Sequence, residues 1–481
     1  MPFNTYTFIV FFAVIFFIYY LTFSWRWKKI VLLIASYVFY SSWNPLFVLL
    51  LMFSTVIDWT LAKRIHQAKK YSRKKKLLLF SLLCNLGLLF YFKYWNLLVE
   101  TSISLLAQFD IVFSPQPLDI VLPVGISFYT FQTLSYTIDV YRGKIIPEKN
   151  FSNYALYVSF FPQLVAGPIV RASDFLPQCH KQSQISIDTL GWGLSLITIG
   201  LFMKTILADE VFAPVVNIVF ENSGQFSSAD TWLAVFSFSG QIFCDFSGYS
   251  TIAIGAAMCL GFALPDNFRS PYAALGMRDF WRRWHISLSS WLRDYLYISL
   301  GGNRHGQIKT YINIMITMLI GGLWHGASWM FVLWGGLHGF YLIVERLFLS
   351  LFIKIKMFFR LPEIAGKYLQ VIWVGITFII VSMTWIFFRA ENIDQAKQIL
   401  LSLIGRSSAT VTQKFQFYDF LTVEIFIVFM LGWQFCSRNS SIEKFFANIH
   451  FAVRALILSV MLLSIYLFSS GDNNAFIYFQ F

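Results

Sequence analysis

His325 lies in the glycine-rich stretch GGLWHGASW, residues 321–329, inside a long apolar run. No charged residue occurs between Lys309 and Glu345, so this histidine is far from both ends of the run. An unbroken helix rises about 1.5 Å per residue and would carry the imidazole roughly 24 Å inward from Lys309. An ionisable group at membrane depth is costly and is kept where it is satisfied or used. We predict a neutral imidazole at His325 that is able to accept a proton.

Small residues surround His325 on both sides. Gly322 and Gly326 are four positions apart, a spacing that lets a second helix or a ligand approach the backbone closely. A hydrogen-bonded structural histidine at a helix contact is therefore an alternative to a functional one, and both interpretations stay open at this point. The nearby His338, in the segment LWGGLHGF, is interpreted as structural.

Arginines, tryptophans and a second histidine share the stretch RDFWRRWHISLSSWLRDYLY, residues 278–297. At 100° per residue, one helix through this stretch has an apolar, mostly aromatic face and places Arg282 and Arg293 together beside it. We predict a single interfacial amphipathic helix. His285 would then project at the border between the apolar face and the arginine side.

The arginines allow two interpretations. Lipid headgroups are the commoner contact for such a helix face. With Arg278 and Arg304 close in the sequence, Arg282 and Arg293 can instead form a cluster that binds a polyanionic ligand from the cytoplasm. A coenzyme A thioester is a phosphorylated acyl donor of this kind. A buried neutral histidine would then take a hydroxyl proton as the oxygen attacks the acyl carbonyl, which is worth roughly 10² to 10⁴ in rate.

Other chemistries lack sequence support. The chain contains no HExxH motif and no clustered carboxylates for a metal, and it has no Walker or dinucleotide-binding glycine motif. Its net charge of +13 does not indicate nucleic acid binding, because the basic residues lie between apolar runs, most densely in a predicted loop at residues 62–76. We predict neither a metal nor a nucleic acid partner.

Composition and run length predict the elements that position these residues. Hydrophobic residues make up 57% of the 481 residues and charged residues only 13%. The apolar runs are continuous rather than alternating, so we predict an all-α polytopic integral membrane protein with one domain, residues 1–481. Helices are predicted near 6–24, 29–42, 44–61, 77–98, 122–141, 152–168, 188–207, 230–262, 307–329, 328–350, 369–389, 420–436 and 451–469. The tracts 230–262 and 307–350 exceed one bilayer width, so each is expected to hold two short helices, a tilted helix or a re-entrant piece.

Basic segments set the predicted orientation. The excess of lysine and arginine after the first helix and at residues 62–76 places both segments in the cytoplasm. The N-terminus and the C-terminal segment GDNNAFIYFQF, residues 471–481, are then predicted to be extracytoplasmic.

Six stretches resemble motifs of the membrane-bound O-acyltransferase (MBOAT) family, in its bacterial alginate O-acetylation branch. They occur in order between about residues 120 and 340: LPVGISFYTFQTLSYTIDVYRG, FFPQLVAGPIVR, QIFCDFSGYSTIAIG, LPDNFRSPY, RDFWRRWHISLSSWLRDYLYISLGGNR and GGLWHGASWMFVLWGGLHG. The resemblance implies an MBOAT fold of roughly 11–13 membrane helices, with re-entrant and interfacial helices among them, around a central tunnel. Thr251 is a departure, since the family pattern has Asp at that position.

The resemblance also implies site residues, a co-substrate and partners. The family's catalytic histidine falls on His325, and its second, less uniform polar position falls on His285. Acetyl-CoA would enter from the cytoplasm as the acyl donor, and the acceptor would arrive from the other side of a bacterial inner membrane. A periplasmic SGNH/GDSL-type acetyltransferase is implied as the partner that completes transfer to a polysaccharide.

The C-terminal tail carries a further resemblance. Its segment FIYF, residues 476–479, is similar to the F-x-Y-F acceptor tail of D-alanylation systems, which implies that Tyr478 carries the acyl group outward. Simple anchoring of an aromatic tail at the membrane interface is the alternative. Two other functions stay open: transfer of a different acyl group such as D-alanyl, and a transporter or flippase whose His325 lines a translocation path.

Overall fold

The computed structural model describes residues 1–165, 167–182, 185–359, 367–406, 415–440, 446, 449–469, 476 and 477, and it is built of helices. The helices are α1 Tyr6–Leu21, α2 Trp25–Ser41, α3 Phe47–Gln67, α4 Tyr71–Leu89, α5 Trp95–Ala107, α6 Ile126–Tyr141, α7 Phe151–Ser159, α8 Phe161–Leu164, α9 Ala172–His180, α10 Ile187–Phe202, α11 Ala213–Glu221, α12 Ser228–Cys259, α13 Met277–Arg283, α14 Ile286–Trp291, α15 Gly306–His325, α16 Trp329–Phe359, α17 Lys367–Arg389, α18 Ile393–Leu403, α19 Phe417–Cys436 and α20 Phe451–Phe468. Within the described part of the chain, six helical stretches are long and apolar enough to cross a membrane. The predicted all-α polytopic architecture is confirmed.

The chain forms two compact units. The first consists of Met1–Ile197 and Tyr249–Pro265, and the second of Thr198–Gly248 and Asp266–Phe481. The long helix α12 contributes its residues up to Gly248 to the second unit and the remainder to the first. Whether the units act as one membrane domain, and whether a tunnel runs through the protein, stay predictions, as does the orientation of the termini.

A buried polar cluster joins helices α3 and α4 in the first unit. The carboxylate of Asp58 accepts hydrogen bonds from the side chains of Ser81, at 2.5 Å, and Asn85, at 2.8 Å. Ser54 in turn donates to the side-chain oxygen of Asn85 at 2.6 Å. These bonds satisfy groups that would be costly to bury alone, and they fix the pairing of two apolar helices.

Aromatic side chains dominate the core of the second unit. Trp284, Trp334 and Trp385 are fully buried and lie in one cluster of apolar side chains. The planes of Trp334 and Trp385 stack with their ring centroids 5.5 Å apart. Large rings that interlock in this way fix their neighbours, so the helices that carry them are held rigidly.

Helices α15 and α16 form a tight antiparallel hairpin whose close approach depends on glycine. A Cβ added at Gly322 would lie 3.1 Å from the Cα of Gly335 on the facing helix and would collide with the carbonyl oxygen of Phe331. Backbone cannot move aside as a flexible side chain does. The hairpin places His325 at the end of α15, directly before the turn.

We predict that Gly322→Ala destabilises the second unit. The added methyl group collides with backbone, and overpacking of this kind costs about 1–3 kcal/mol or more. Thermal unfolding in detergent should show a lower midpoint for this variant. Gly336→Ala is the matched control, because its new Cβ would meet only the side chain of Leu319 at 3.4 Å, an ordinary contact. Equal midpoints for the two variants would contradict the account.

Several predicted elements differ from the observed ones. Residues 278–297 do not form one amphipathic helix: α13 ends at Arg283, α14 begins at Ile286, and a π-helical segment follows at Leu292–Tyr297. The basic segment 62–76 is not a loop, since it forms the end of α3 and the start of α4 around a short turn.

The two predicted tracts that exceed one bilayer width, 230–262 and 307–350, differ in the number of helices that they contain. The tract 230–262 is a single helix, α12, of 32 residues. The tract 307–350 is two helices, α15 and α16, which meet at residues 326–328.

Candidate functional site

His325 is buried in an aromatic cage at the C-terminal end of α15. Its ring centroid lies 5.1 Å from that of Trp324, 5.1 Å from that of Trp334 and 5.6 Å from that of Phe388. Only 3% of the residue is exposed. The C-terminal end of a helix carries partial negative charge, which favours the imidazolium that forms when this ring takes up a proton.

His285 occupies the break between α13 and α14. Its backbone adopts the left-handed conformation, with φ of +42°, which is uncommon for any residue except glycine and costs free energy that the surroundings must offset. The carbonyl oxygen of Asn267 accepts the Ile286 N–H at 2.9 Å and thereby holds the break. The ring of Phe246 lies perpendicular to the imidazole with the centroids 4.6 Å apart. The break turns the histidine inward. It is therefore fully buried, and the prediction that it projects at the border between the apolar face and the arginine side of one helix is wrong.

Asn267 determines which nitrogen of His285 carries the hydrogen. Its side-chain Oδ1 receives the backbone N–H of Ser287 at 3.3 Å and the Ser287 hydroxyl at 2.9 Å. A backbone N–H can only donate, so the atom at this position is the amide oxygen and not the nitrogen. The same oxygen lies 3.1 Å from Nδ1 of His285, which must therefore donate. Nε2 of His285 is then left with a lone pair.

The lone pair of His285 Nε2 is directed into the protein interior. Nε2 is buried and has no hydrogen-bond partner within the described part of the chain. Burial lowers the pKa of His285 to about 3, so the ring is neutral near pH 7. The ring centroids of His285 and His325 are 6.3 Å apart. The two imidazoles, which are 40 residues apart in the sequence, therefore belong to one site.

A cavity of about 900 Å³ in the second unit reaches His325. Three of the four arginines predicted to bind the donor, Arg278, Arg282 and Arg293, are exposed and line it. Arg304, the fourth, is not among the lining residues. The structure adds Arg346, from α16, which the sequence analysis missed. A single space is thus lined by several guanidinium groups and by one buried imidazole.

Helix α13, which carries Arg278 and Arg282, is fixed at its start by a carboxylate. Glu345 of α16 accepts the backbone N–H groups of Met277, at 2.6 Å, and of Arg278, at 3.1 Å. These are orphan donors of a helix N-terminus, where negative charge is favourable. Arg278 is therefore positioned by its backbone while its side chain stays exposed.

Asp279 of α13 pairs with two other arginines, which are not among the residues that line the cavity. Its carboxylate pairs with Arg283 at 2.9 Å and with Arg438 at 3.1 Å. Burial alone would raise the pKa of Asp279, but hydrogen bonds from the Leu275 N–H and from the two guanidinium groups outweigh it, and the pKa lies below its usual value. Arg283 is thus held by Asp279, and it is not among the residues that line the cavity.

His338 has a partner at each ring nitrogen. Trp281 donates its indole N–H to Nδ1 at 3.3 Å, and the hydroxyl oxygen of Thr384 lies 3.0 Å from Nε2. Thr384 donates its own hydrogen to the carbonyl oxygen of Val381, so His338 Nε2 is the donor in the contact with Thr384. Both nitrogens are used in packing helices together, which favours a structural role for this residue.

Two residues of the C-terminal tail, Phe476 and Ile477, lie in the second unit near His285, and Tyr478 itself lies outside the described residues. Phe476 is fully buried, and its ring centroid is 5.6 Å from that of Phe246, the residue whose ring faces His285. Ile477 belongs to the apolar core of the unit. The residues directly before Tyr478 therefore contact the surroundings of His285.

The structure shows site residues that sequence reasoning missed. Asn267 lies in the stretch LPDNFRSPY, which resembles a family motif but in which nothing assigns a chemical role to the asparagine. No spacing rule connects an asparagine with a histidine 18 residues later through an irregular segment. In the described ranges, no group of three or more His, Cys, Asp or Glu residues is placed to hold a metal ion.

Known proteins similar to this chain modify cell envelope polymers. The family model of the membrane-bound O-acyltransferases matches residues 32–388. The chain is 39% identical to a probable alginate O-acetylase of Pseudomonas aeruginosa over 82% of this chain and 73% of that protein. It is 33% identical to a peptidoglycan O-acetyltransferase of Helicobacter pylori over 94% of this chain and 91% of that protein. A teichoic acid D-alanyltransferase of Streptococcus thermophilus is 27% identical over 46% of this chain and 56% of its own length.

Proposed function

The chain belongs to the membrane-bound O-acyltransferase family, and we propose on this premise that it transfers acetyl from cytoplasmic acetyl-CoA for O-acetylation of an extracytoplasmic polysaccharide. It is a multi-pass membrane O-acyltransferase. The donor, the direction of transfer and the acceptor are the parts that we propose.

One observation carries the proposal. The cavity of about 900 Å³ is lined at exposed positions by Arg278, Arg282, Arg293 and Arg346 and at a buried position by His325. A coenzyme A thioester has the same polarity, with phosphates at one end and a small apolar acyl group at the other. The guanidinium groups form bidentate hydrogen bonds with phosphates, and the aromatic cage around His325 accepts the acyl end.

The reaction follows from these positions. The acceptor hydroxyl oxygen attacks the thioester carbonyl, His325 takes the hydroxyl proton, and the bond from carbon to sulfur breaks to release coenzyme A as a thiol, to which the proton is returned. The helix end at His325 stabilises the transient imidazolium. His285 contributes a fixed lone pair at Nε2, which accepts a hydrogen bond from a donor group of the acceptor and orients it beside His325.

The acyl group and the polymer are proposed from the relatives. Two named O-acetylating relatives are each at least 33% identical over 82% or more of this chain, whereas the D-alanyltransferase matches over 46%. Acetyl is therefore favoured over D-alanyl. The two O-acetylating relatives differ in polymer, so the proposed acceptor class is an envelope polysaccharide without a choice between alginate and peptidoglycan.

A further carrier step completes the proposal. The acceptor hydroxyl of the first reaction is the phenol of Tyr478, which holds the acetyl group as an ester. A periplasmic SGNH/GDSL-type acetyltransferase then transfers this group to the polysaccharide, and the ester bond to the phenol breaks and frees it. The packing of Phe476 against Phe246 and the burial of Ile477 in the same unit support this role, because they bring the residues before Tyr478 close to His285. The step requires the protein to lie in a bacterial inner membrane with both termini extracytoplasmic. The arginine-lined cavity must open on the cytoplasmic side of that membrane.

Reconstitution into liposomes tests the proposal. Protein is inserted with radiolabelled acetyl-CoA on the side of the basic segment 62–76, and an acceptor glycan with its partner enzyme is supplied on the other side. We expect free thiol on the donor side and labelled ester on the acceptor side. Movement of label across the membrane without release of thiol would instead support a transporter. If a D-alanyl donor is consumed faster than acetyl-CoA when both are present, the proposed acyl group would be D-alanyl and not acetyl.

We predict that Arg282→Ala and Arg293→Ala weaken donor binding. Each removes a guanidinium group that lines the cavity, so KM for acetyl-CoA should rise about tenfold, which corresponds to ~1.4 kcal/mol. Steady-state kinetics in detergent measures this change, and kcat should fall less. Arg304→Ala is the comparison, because Arg304 does not line the cavity, and we expect a smaller rise. A larger rise for Arg304→Ala would favour the donor cluster predicted from the sequence over the cavity.

A further inference from the structure

A buried cluster of charged side chains lies next to the tail in the second unit. The ammonium of Lys204 is 2.5 Å from the carboxylate of Asp245 and 2.8 Å from that of Asp209. The side chains of Lys204 and Asp245 are only 1% and 3% exposed. Taking charges out of water is costly even when they are paired, so such a cluster in an apolar core is expected where it has a specific use.

The second oxygen of Asp245 holds the tail by its backbone. Asp245 Oδ2 accepts the N–H of Ile477 at 2.9 Å, across 232 positions of the sequence. Lys204 contacts the other oxygen, Oδ1, and the geometry thus divides the carboxylate between the ammonium and the tail. A hydrogen bond to a charged acceptor is about twice as strong as a neutral one, and it strengthens further in an apolar core.

Phe246, the residue after Asp245, connects this contact to His285. Phe246 packs against Phe476 of the tail at 5.6 Å and against His285 at 4.6 Å, both between ring centroids. Two consecutive residues of α12 therefore contact the tail. Asp245 accepts the backbone N–H of Ile477, and Phe246 packs against the ring of Phe476. Tyr478 is the next residue in the sequence, so an anchor at Ile477 limits its reach to one residue of backbone and its own side chain.

We propose that Asp245, ion-paired with Lys204, is the anchor that seats the C-terminal tail beside His285 and so positions the acyl acceptor. Asp245 is a positioning residue, since it acts through the tail and not on the reacting atoms. The proposal rests on the proposed function for the identity of the reaction. It adds the site where the tail is recognised, namely a carboxylate for the Ile477 N–H and an aromatic contact for Phe476.

Substitution at Ile477 tests the anchor without disturbing the charged cluster. Ile477→Pro removes the N–H that Asp245 accepts, and Ile477→Ala keeps that N–H while removing more of the side chain. If the anchor positions the acceptor, Ile477→Pro lowers kcat for labelled ester formation at least tenfold relative to Ile477→Ala. KM for acetyl-CoA should be alike in the two variants, because Ile477 is not among the residues that line the donor cavity. Thermal midpoints in detergent report whether both are folded.

A second variant and a donor-side readout separate the outcomes. Asp245→Asn keeps an acceptor oxygen and removes the charge, so it should lower kcat while leaving KM for the donor unchanged. Equal kcat values for folded Ile477→Pro and Ile477→Ala would overturn the anchor and leave the contact as packing only. Failure of the wild-type protein to release thiol from acetyl-CoA would instead overturn the proposed function. Because the thiol leaves only as the ester forms, we expect thiol release and ester formation to fall together in Ile477→Pro and Asp245→Asn, and to fall much less in Ile477→Ala.

Discussion

Replacement of His325 by alanine is expected to lower the rate of thiol release from acetyl-CoA by roughly 10² to 10⁴. The imidazole is a buried part of the lining of the arginine-lined cavity, and in the proposed reaction it takes the hydroxyl proton during attack on the thioester. Without it the oxygen must attack while it keeps its proton. Single-turnover measurement of thiol release, with saturating enzyme in excess over the donor, isolates this step from binding.

Two further variants make the result interpretable. The ring of His325 packs against Trp324, Trp334 and Phe388, so alanine also leaves a void, and a loss of activity by unfolding must be excluded. His325→Gln fills much of the void and cannot act as a base, so it should be as inactive as alanine but more stable. His66→Ala, at an exposed position of the first unit, should behave as wild type. Undiminished thiol release in folded His325→Gln would remove the histidine from the chemistry.

Apolar run length was enough to predict most of the helices. The run at Phe451–Phe468 has no competing signal, and its predicted bounds differ from the observed ones by a residue. The bounds fail where polar residues continue a helix past the apolar part. Helix α3 extends to Gln67 through a basic segment, because lysine and arginine are good helix formers and no glycine or proline interrupts them.

The sequence was enough to predict individual residues of the site, but not which of them lie in contact. Glycines around an isolated histidine pointed to His325, and three of four predicted arginines line its cavity. Periodicity assumes an unbroken helix, and it therefore missed the left-handed turn at His285, which long-range contacts with Asn267 and Phe246 stabilise.

Contacts between distant residues leave no periodic signal. Asp245 and Ile477 meet across 232 positions. Asp245 is the one charged residue between Asp230 and Asp266, which marks it as an unusual charge in an apolar run but does not indicate its partner. The same holds for Arg346, which reaches the cavity only because the α15–α16 hairpin returns it to the start of α15.

Replacement of Asn267 is expected to have the second largest effect, because this residue sets the tautomer of His285. In Asn267→Leu the Nδ1 hydrogen has no acceptor, and the ring can move its hydrogen to Nε2, which then donates where it previously accepted. We expect kcat for acyl transfer to fall about 10²-fold, at the lower end of the range for proton-transfer groups. Ser287→Ala removes the hydroxyl hydrogen bond to the same oxygen and keeps those from its own backbone N–H and from His285, so it should cost stability but little rate.

Asn267→Asp gives the same prediction a pH dependence. The new carboxylate still accepts from Nδ1, but its charge favours the imidazolium and raises the pKa of His285 from its buried value of about 3. As pH falls through the raised pKa, Nε2 gains a hydrogen and loses its lone pair, so kcat of this variant should decline on the acid side. In the wild-type protein burial lowers the pKa of His285 to about 3, so the ring stays neutral near pH 7 and in mild acid and adds no acid limb there. An unchanged pH profile in a folded Asn267→Asp variant would mean that the lone pair at Nε2 takes no part in acyl transfer.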